Sequence, residues 1–369
     1  MKTFLKVIAC ILAACLGFAS GVVTEYYASM PESDKFVDGE ISFHFLHLGN
    51  GNTGDSIYIK CGDDDILIDA GSRSNSAPTI INYVDQFVTD GKLEYVIATH
   101  SDQDHIAAFP STSSYEGIFD HYDTGIIIDF PKTDKATDTK ILTNYYLARD
   151  KEVENGAKHF TALQCYNNEG GAERVYELSG GVKMEILYNY YYEHKAPSEN
   201  DNSVCLLFSQ GDNHYLFTGD LEEDGEEKLV EFYNEQGNPL PQCKLYKAGH
   251  HGSKTSSSLT LLNQIKPEIV AVCCVAGSKE YTKEYNSNTF PTQTFIDNVA
   301  PFTKQVYVTG LVEIYEEDGK DKERGVPLNG NIVISFNGSQ TKMEFSGSDK
   351  PLKDSDWFKE NRVCPSAWK

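Results

Sequence analysis

From Ile41 onward, apolar and polar positions along this chain alternate between two spacings. Ile41-Ser42-Phe43-His44-Phe45-Leu46 puts apolar side chains at every second position, the period of a strand with one buried face. Ile57-Tyr58-Ile59 and Ile66-Leu67-Ile68 are two further strand-like runs, separated by the polar turn Cys61-Gly62-Asp63-Asp64-Asp65. Between Pro78 and Val88 the spacing changes, and Ile80, Ile81, Val84 and Phe87 fall on one helical face. Tyr95-Val96-Ile97-Ala98 then reads as a short buried strand leading directly to Thr99 and His100. Strand, helix, strand in this order delivers polar residues at a strand's C-terminal end, where α/β sheets collect ligands.

The stretch from Ala107 to Gly180 is the least periodic. Gly125-Ile126-Ile127-Ile128-Asp129 predicts a strand there, and Ile141 to Val153 a helix. A second half follows, with strands over Val182–Tyr188, Ser203–Phe208 and His214–Phe217. Glu222 to Tyr233 predicts an acidic amphipathic helix with Leu229, Phe232 and Tyr233 on one face. Leu245-Tyr246 leads into Gly249-His250-His251-Gly252-Ser253, and Ile269–Val275 is a wholly apolar strand. Val306, Val308, Val312–Ile314 and Ile332–Phe336 complete the set. No Pro/Gly/Ser-rich linker divides the halves, so residues 41–345 read as one layered α/β domain. Residues 346–369 lack a core pattern and read as a C-terminal tail.

The N-terminus departs from this pattern. Lys2 and Lys6 flank the start of an apolar run from Val7 to Val23, the layout of an export signal. Residues 1–23 are therefore read as a signal peptide or a membrane or lipid anchor, and residues 24–40 as a tether. Leu12-Ala13-Ala14-Cys15 resembles the box at which bacterial lipoproteins are lipidated. The protein is expected to be exported, either anchored through Cys15 or secreted after cleavage near Ala19-Ser20. Membrane association is expected only through this segment. None of the nine cysteines forms a CxxC pair, so a thiolate zinc site is not indicated, and their spacing names no disulfide.

The net charge of −23, from 55 acidic against 32 basic residues, narrows the partners. Neutralising a phosphate backbone takes clustered Lys and Arg, and no basic stripe exists. Tight binding of duplex nucleic acid is not expected, whereas a small-molecule or surface-displayed substrate is. A single phosphate drawn to a metal ion remains compatible with this charge.

The candidate chemistry is concentrated in His100-x-Asp102-x-Asp104-His105, four potential ligands within six residues directly after a strand. Carboxylate oxygens beside imidazole nitrogens suit zinc, manganese or iron(II). Leu216-Phe217-Thr218-Gly219-Asp220 delivers another carboxylate at a strand end, where it can bridge two ions. Lys247-Ala248-Gly249-His250-His251-Gly252-Ser253 adds adjacent histidines that point in different directions, so one of the two is expected to ligate.

The order of Asp69-Ala70-Gly71, the His100–His105 run, Thr218-Gly219-Asp220 and His250-His251-Gly252-Ser253 resembles the metallo-β-lactamase superfamily. It is similar in particular to the hydrolase domain of ComEC-type DNA-uptake proteins and their stand-alone relatives. Those proteins carry His-x-Asp-x-Asp-His, a Lys before the double His (Lys247 here), and an equivalent of Asn200-Asp201-Asn202-Ser203. The resemblance covers about Ile41 to Phe345 and implies an αββα sandwich with the site at one edge. It implies that His100 and Asp102 help hold a first ion, and that Asp104, His105 and His250 hold a second. Asp220 would bridge the two, Asp69 would support the site from behind, and His251 would be a neighbouring or substrate-phosphate contact. The implied cofactor is Zn2+ or Mn2+, one or two ions per chain.

Two departures stand out. The superfamily's separate His before the bridging Asp is missing, with Glu199, Asn200 or Asn202 in its place, and His194 is not read as a replacement. His47 also stands where relatives have Asp, and Asn52-Thr53-Gly54 lengthens the next turn. His44, His121, His159 and His214 are read as strand or loop residues. The expected activity is hydrolysis by metal-activated water, on a phosphodiester or phosphorylated small molecule, with Asp104, Asp220, His251 and Lys247 as the residues carrying it. Alternatives are a lactone, amide or thioester hydrolase, an extracellular nuclease, or a non-catalytic binding protein of the same fold. The stretch Ala107–Gly180 and the loop Lys279–Pro291 are expected to shape the pocket.

Overall fold

Alternation at Ile41, Phe43 and Phe45 turns three apolar side chains toward the core from β1 (Ile41–Phe45), the strand around which the first sheet is built. The computed structural model describes residues 40–280, 288–317 and 319–369. The residues read as an export segment with its Leu12–Cys15 box, those read as a tether through residue 39 and part of the Lys279–Pro291 loop lie outside the described residues.

The first sheet continues through β2 (Ile57–Cys61), β3 (Asp64–Ile68), β4 (Lys92–Ala98), β5 (Asp123–Asp129) and β6 (Lys158–Thr161). The second comprises β7 (Val175–Glu177), β8 (Val182–Ile186), β9 (Leu206–Gln210), β10 (Asn213–Phe217), β11 (Leu245–Lys247), β12 (Ile269–Ala276), β13 (Gln305–Glu317) and β14 (Lys320–Pro327). β15 (Ile332–Phe336) and β16 (Thr341–Phe345) return to the first. The orders are β16-β15-β1-β2-β3-β4-β5-β6 and β14-β13-β12-β11-β10-β9-β8-β7, each eight strands. Within them β3 to β6 and β10 to β13 run parallel and the remaining pairs antiparallel. Parallel strands end on the same side, so Asp69, Thr99-His100, Gly219-Asp220 and Ala248-Gly249 all emerge at strand C-terminal ends.

The two sheets meet face to face through aromatic side chains. The Phe43 ring lies 5.4 Å from Phe217 and 4.8 Å from Tyr215, and Tyr215 lies 4.5 Å from Phe336. Period-two alternation then divides the second sheet's residues. Leu206, Phe208, Tyr215, Phe217, Ala271 and Cys273 join the core between the sheets, while Leu207, Leu216, Val270, Val272 and Cys274 face outward. Helices cover both outer faces, as apolar sheet faces require. Helices α1 (Ala77–Val84) and α2 (Lys140–Asn155) lie on the first sheet; α3 (Glu223–Glu235), α4 (Leu259–Ile265) and α5 (Gln293–Val299) lie on the second. This is the αββα layering of the metallo-β-lactamase sandwich.

The residues after Phe345 pack as well. Leu352, Phe358 and Trp368 are buried in the outer core of the second sheet, and Trp368 Nε1 donates to the Thr303 carbonyl at 2.8 Å. Three isolated anchors on separate short helical turns (Leu352–Asp354, Asp356–Asn361 and Ser366–Trp368) leave no periodic trace, so the sequence shows a tail where the chain is folded. Among the described residues, no helix is long and apolar enough to cross a membrane. His44, buried under α1, satisfies its ring with Ser42 and Tyr83 at 2.8 Å each and belongs to the core.

Candidate metal centre

β4 stops at Ala98 because the next residues bond to side chains instead of a neighbouring strand. Thr99 donates through its backbone N and its Oγ1 to the Asp69 carboxylate, both at 2.8 Å. Asp102 is extended (φ −78°, ψ 150°), and the short helical turn Gln103–Ile106 then swings Asp104 and His105 inward. His105 is fully buried. Its Nδ1 lies 2.7 Å from Asp69 Oδ2 and its Nε2 3.1 Å from Asp220 Oδ2. An Nδ1 held by a carboxylate fixes the tautomer and turns Nε2 toward the centre, the arrangement metal-ligating histidines adopt.

Asp220 follows Gly219, whose φ is +54° and whose Cβ would come within 2.7 Å of Ser203 Oγ and 3.0 Å of Thr99. Only glycine fits there. The Asp220 backbone N donates to Ser203 Oγ at 3.0 Å, which aims the carboxylate between the sheets.

β11 ends at Lys247, and two consecutive non-glycine residues then take left-handed backbone angles: His250 (φ 45°) and His251 (φ 56°). Such a pair is strained, and its effect is to separate the two side chains. His251 turns inward: Nδ1 donates to the Cys273 carbonyl at 2.8 Å, while Nε2 lies 3.2 Å from Asp220 Oδ2 and 3.3 Å from Asp104 Oδ2. His250 turns outward, partly exposed, beside Thr255 (3.2 Å) and Glu222 (3.4 Å). The structure thus places in the cluster the histidine expected as a neighbouring contact, and outside it the one expected as a ligand.

Asp55 also enters, a residue not singled out in the sequence. It sits two residues before β2, whose Ile57 pairs with Ile68 at the end of β3. Its backbone N donates to the Asp104 carbonyl at 3.0 Å, and its carbonyl accepts from Gly71 N at 2.7 Å. Gly54 permits this approach, since a Cβ there would meet Asp104 O and Ser72 Cα at 2.7 Å. Among the described residues, donor atoms of Asp55, His105, Asp220 and His251 lie within 4.8 Å of one another. His100 borders the group, its ring 4.1 Å from that of His105, and its Nε2 lies 3.7 Å from Asp102 Oδ2, while the other Asp102 oxygen pairs with Lys135 at the surface.

The electrostatics follow from burial. Asp55, Asp69, Asp104 and Asp220 converge with one ammonium, Lys247, which pairs with Asp55 and lies 3.2 Å from Asp220. Burial opposes charge on every group here, yet the carboxylates win at the cations. Asp220 and Asp69 hold His105, and Asp220 and Asp55 hold His251, well above the usual imidazole range. Burial likewise opposes ionisation of Asp220, but His105, His251 and Lys247 keep its pKa well below the carboxylate range. His100, where burial dominates, is pushed down to about 4 and presents a neutral ring.

A cation fits this environment. His100 Nε2 is buried with no hydrogen bond, and His251 Nε2 and the Asp55 carboxylate meet their neighbours at ion-pair distances without hydrogen-bond geometry. Unpaired imidazole nitrogen beside an excess of carboxylate oxygen is the donor set of zinc, manganese or iron(II).

Behind the histidine loop, Glu226 of α3 is fully buried and accepts from Ser257 N (2.8 Å) and Ser258 N (2.6 Å). Tyr246 Oη donates to Glu226 at 3.4 Å and accepts from Gly249 N at 3.0 Å, so one carboxyl braces both ends of the loop. Burial raises its pKa from near 4.5 to about 7, against the opposing hydrogen bonds from Ser258 and Ser257. Folding therefore takes up a proton at Glu226 between these values, and stability should fall as pH rises across that interval, by roughly 1 kcal/mol per pH unit. Urea denaturation from pH 4.5 to 7.5 should show this slope in the wild type and a flatter one in Glu226→Gln. Identical slopes would mean that Glu226 stays ionised in the fold.

Layering, strand order and a buried His/Asp cluster at the strand ends define a metallo-β-lactamase-fold protein. It is related to bacterial competence proteins. ComE operon protein 3 of Bacillus subtilis is 23% identical over 184 residues, which is 49% of this chain and 20% of that protein. Competence protein ComA of Neisseria gonorrhoeae is 27% identical over 249 residues, 68% of this chain and 28% of that protein. The chain therefore spans less than a third of either relative. Among solved structures, the metallo-β-lactamase-fold protein YhfI of Bacillus subtilis aligns over 78% of this chain and 100% of its own, with a TM-score of 0.42 and 11% identity. No protein-family model matches the chain.

Proposed function

We propose that this chain is a metal-dependent hydrolase acting on a small phosphodiester or phosphorylated molecule. The observation that carries this is the convergence of Asp55, His105, Asp220 and His251 on one buried point, with Asp104 beside it. An ion held there would supply Lewis acidity, acidifying water and offsetting charge that develops on the attacked group. The residues themselves divide the remaining work. Asp69 and the Cys273 carbonyl fix the two imidazole rings, and Ser203 fixes Asp220. Lys247, donating to the Gly219 carbonyl at 3.0 Å, keeps Asp55 and Asp220 ionised side by side. Asp104, partly exposed where the other cluster carboxylates are sealed, is placed to orient an incoming water through its Oδ2.

The charge of −23 favours a small substrate over a long polyanion. Relatedness to competence proteins supports a nucleic-acid substrate as the second reading. Export, with lipid on Cys15, belongs to the same proposal and rests on the N-terminal sequence alone. The test is to strip the protein with chelator, restore zinc or manganese, and assay nitrophenyl phosphodiester, lactone and ester substrates beside duplex DNA. The expected result is loss of turnover on stripping, recovery on reloading, and preference for the small phosphodiester. Full activity in chelator would overturn the metal reading, and rapid degradation of long DNA would replace the small-substrate one.

A further inference from the structure

Lys135 lies between β5 and α2, in the stretch where the sequence pattern is weakest. Its Nζ is 2.7 Å from Asp102 Oδ1 and donates to the Ser101 carbonyl at 2.9 Å. The ammonium thus sits on the carboxylate that the resemblance gives to a first ion. Residues standing where a further histidine is expected are already engaged. Glu199 accepts from Ser101 Oγ (2.6 Å) and from Asp134 N (3.0 Å). Asn200 Nδ2 donates to Glu222 (3.2 Å) and Asn202 Nδ2 to Asp134 (3.4 Å). His194 stacks on Tyr190 with ring centroids 3.8 Å apart and does not join the cluster. Among the described residues, the one group of donors close enough to share an ion contains neither His100 nor Asp102.

We propose that Lys135 takes the place of a first metal ion, so that the centre holds one ion and the Lys135 ammonium binds an anionic oxygen of the substrate. This rests on reading the cluster as a hydrolytic metal site. A divalent ion on Asp102 would stand against a fixed positive charge at short range, while Lys135 neutralises the same carboxylate without leaving the surface. Both side chains are partly exposed, Lys135 at 21% and Asp102 at 35%, and Asp102 and the Ser101 carbonyl take two of the ammonium's three N–H groups, which leaves the third for a ligand. An ammonium contacts a phosphoryl or carboxylate oxygen as a point charge.

The experiment counts ions by native mass spectrometry after zinc loading, then titrates inorganic phosphate into the loaded protein by calorimetry. One zinc per chain is expected in the wild type and in Lys135→Ala. Phosphate affinity should fall about tenfold in Lys135→Ala, the effect of losing one charge-assisted contact, and recover in Lys135→Arg. Two zinc ions per wild-type chain, loss of the ion in Lys135→Ala, or unchanged phosphate affinity would each overturn the inference. No bound zinc at all would instead overturn the metal reading on which it rests.

Discussion

Asp220→Ala is expected to lose at least about 100-fold in metal affinity, the upper range for removing a group that merely orients a ligand, and hydrolysis should fall with it. Asp220 touches His105, His251 and Lys247 at 3.1 to 3.2 Å, more cluster cations than any other carboxylate meets at those distances. Removing it leaves an ammonium and two imidazoles facing one another in a buried space. Breaking a buried charge network costs about 3–5 kcal/mol, so the alanine variant should also be less stable. Asp220→Asn removes the charge while keeping the side-chain shape, so it adds no cavity to the loss of the ligand; Ser203, which accepts from the backbone N, is engaged in either variant. Ion content should drop in both variants when measured on material shown to be folded by circular dichroism. A full equivalent of tightly held metal in Asp220→Asn would place the ion elsewhere.

The sequence carried much of this centre because strand periodicity fixes where a strand ends. Four apolar residues before Thr99 and an apolar strand before Thr218 place the His100–His105 run and Asp220 at parallel strand ends. Asp55 was hidden for the opposite reason: it precedes its strand. Its position becomes legible only when the β2–β3 hairpin is counted outward from the turn, which sets Ile57 opposite Ile68 and Asp55 beside Gly71. Lys135 comes from a loop without periodicity, and its contact with Asp102 depends on tertiary packing that no local pattern records. The anchors Leu352, Phe358 and Trp368 are likewise too far apart to form a period.

The double histidine was the hardest to resolve, since identical neighbours differ only in backbone angle, and that difference gives a sharp expectation. His251→Ala should lower metal affinity by at least about 100-fold, because Nε2 faces Asp220 and Asp104 while the Cys273 carbonyl locks the ring. His250→Ala should change it less than about fivefold, the equivalent of the 0–1 kcal/mol that a partly exposed ion pair contributes. The His250 ring meets Thr255, Glu222, Asn200 and Phe290 rather than the cluster carboxylates, and its side chain is 22% exposed where that of His251 is sealed. Neither substitution relieves the left-handed backbone, since alanine at φ near 50° is strained as well, so both variants retain the same local cost. The comparison therefore isolates the side chains. Competition with a chromogenic zinc chelator measures both affinities on one scale. Equal losses from the two variants would mean that both histidines reach the ion and that the inward turn at His251 does not distinguish them; a larger loss from His250→Ala would restore the assignment that the resemblance implied.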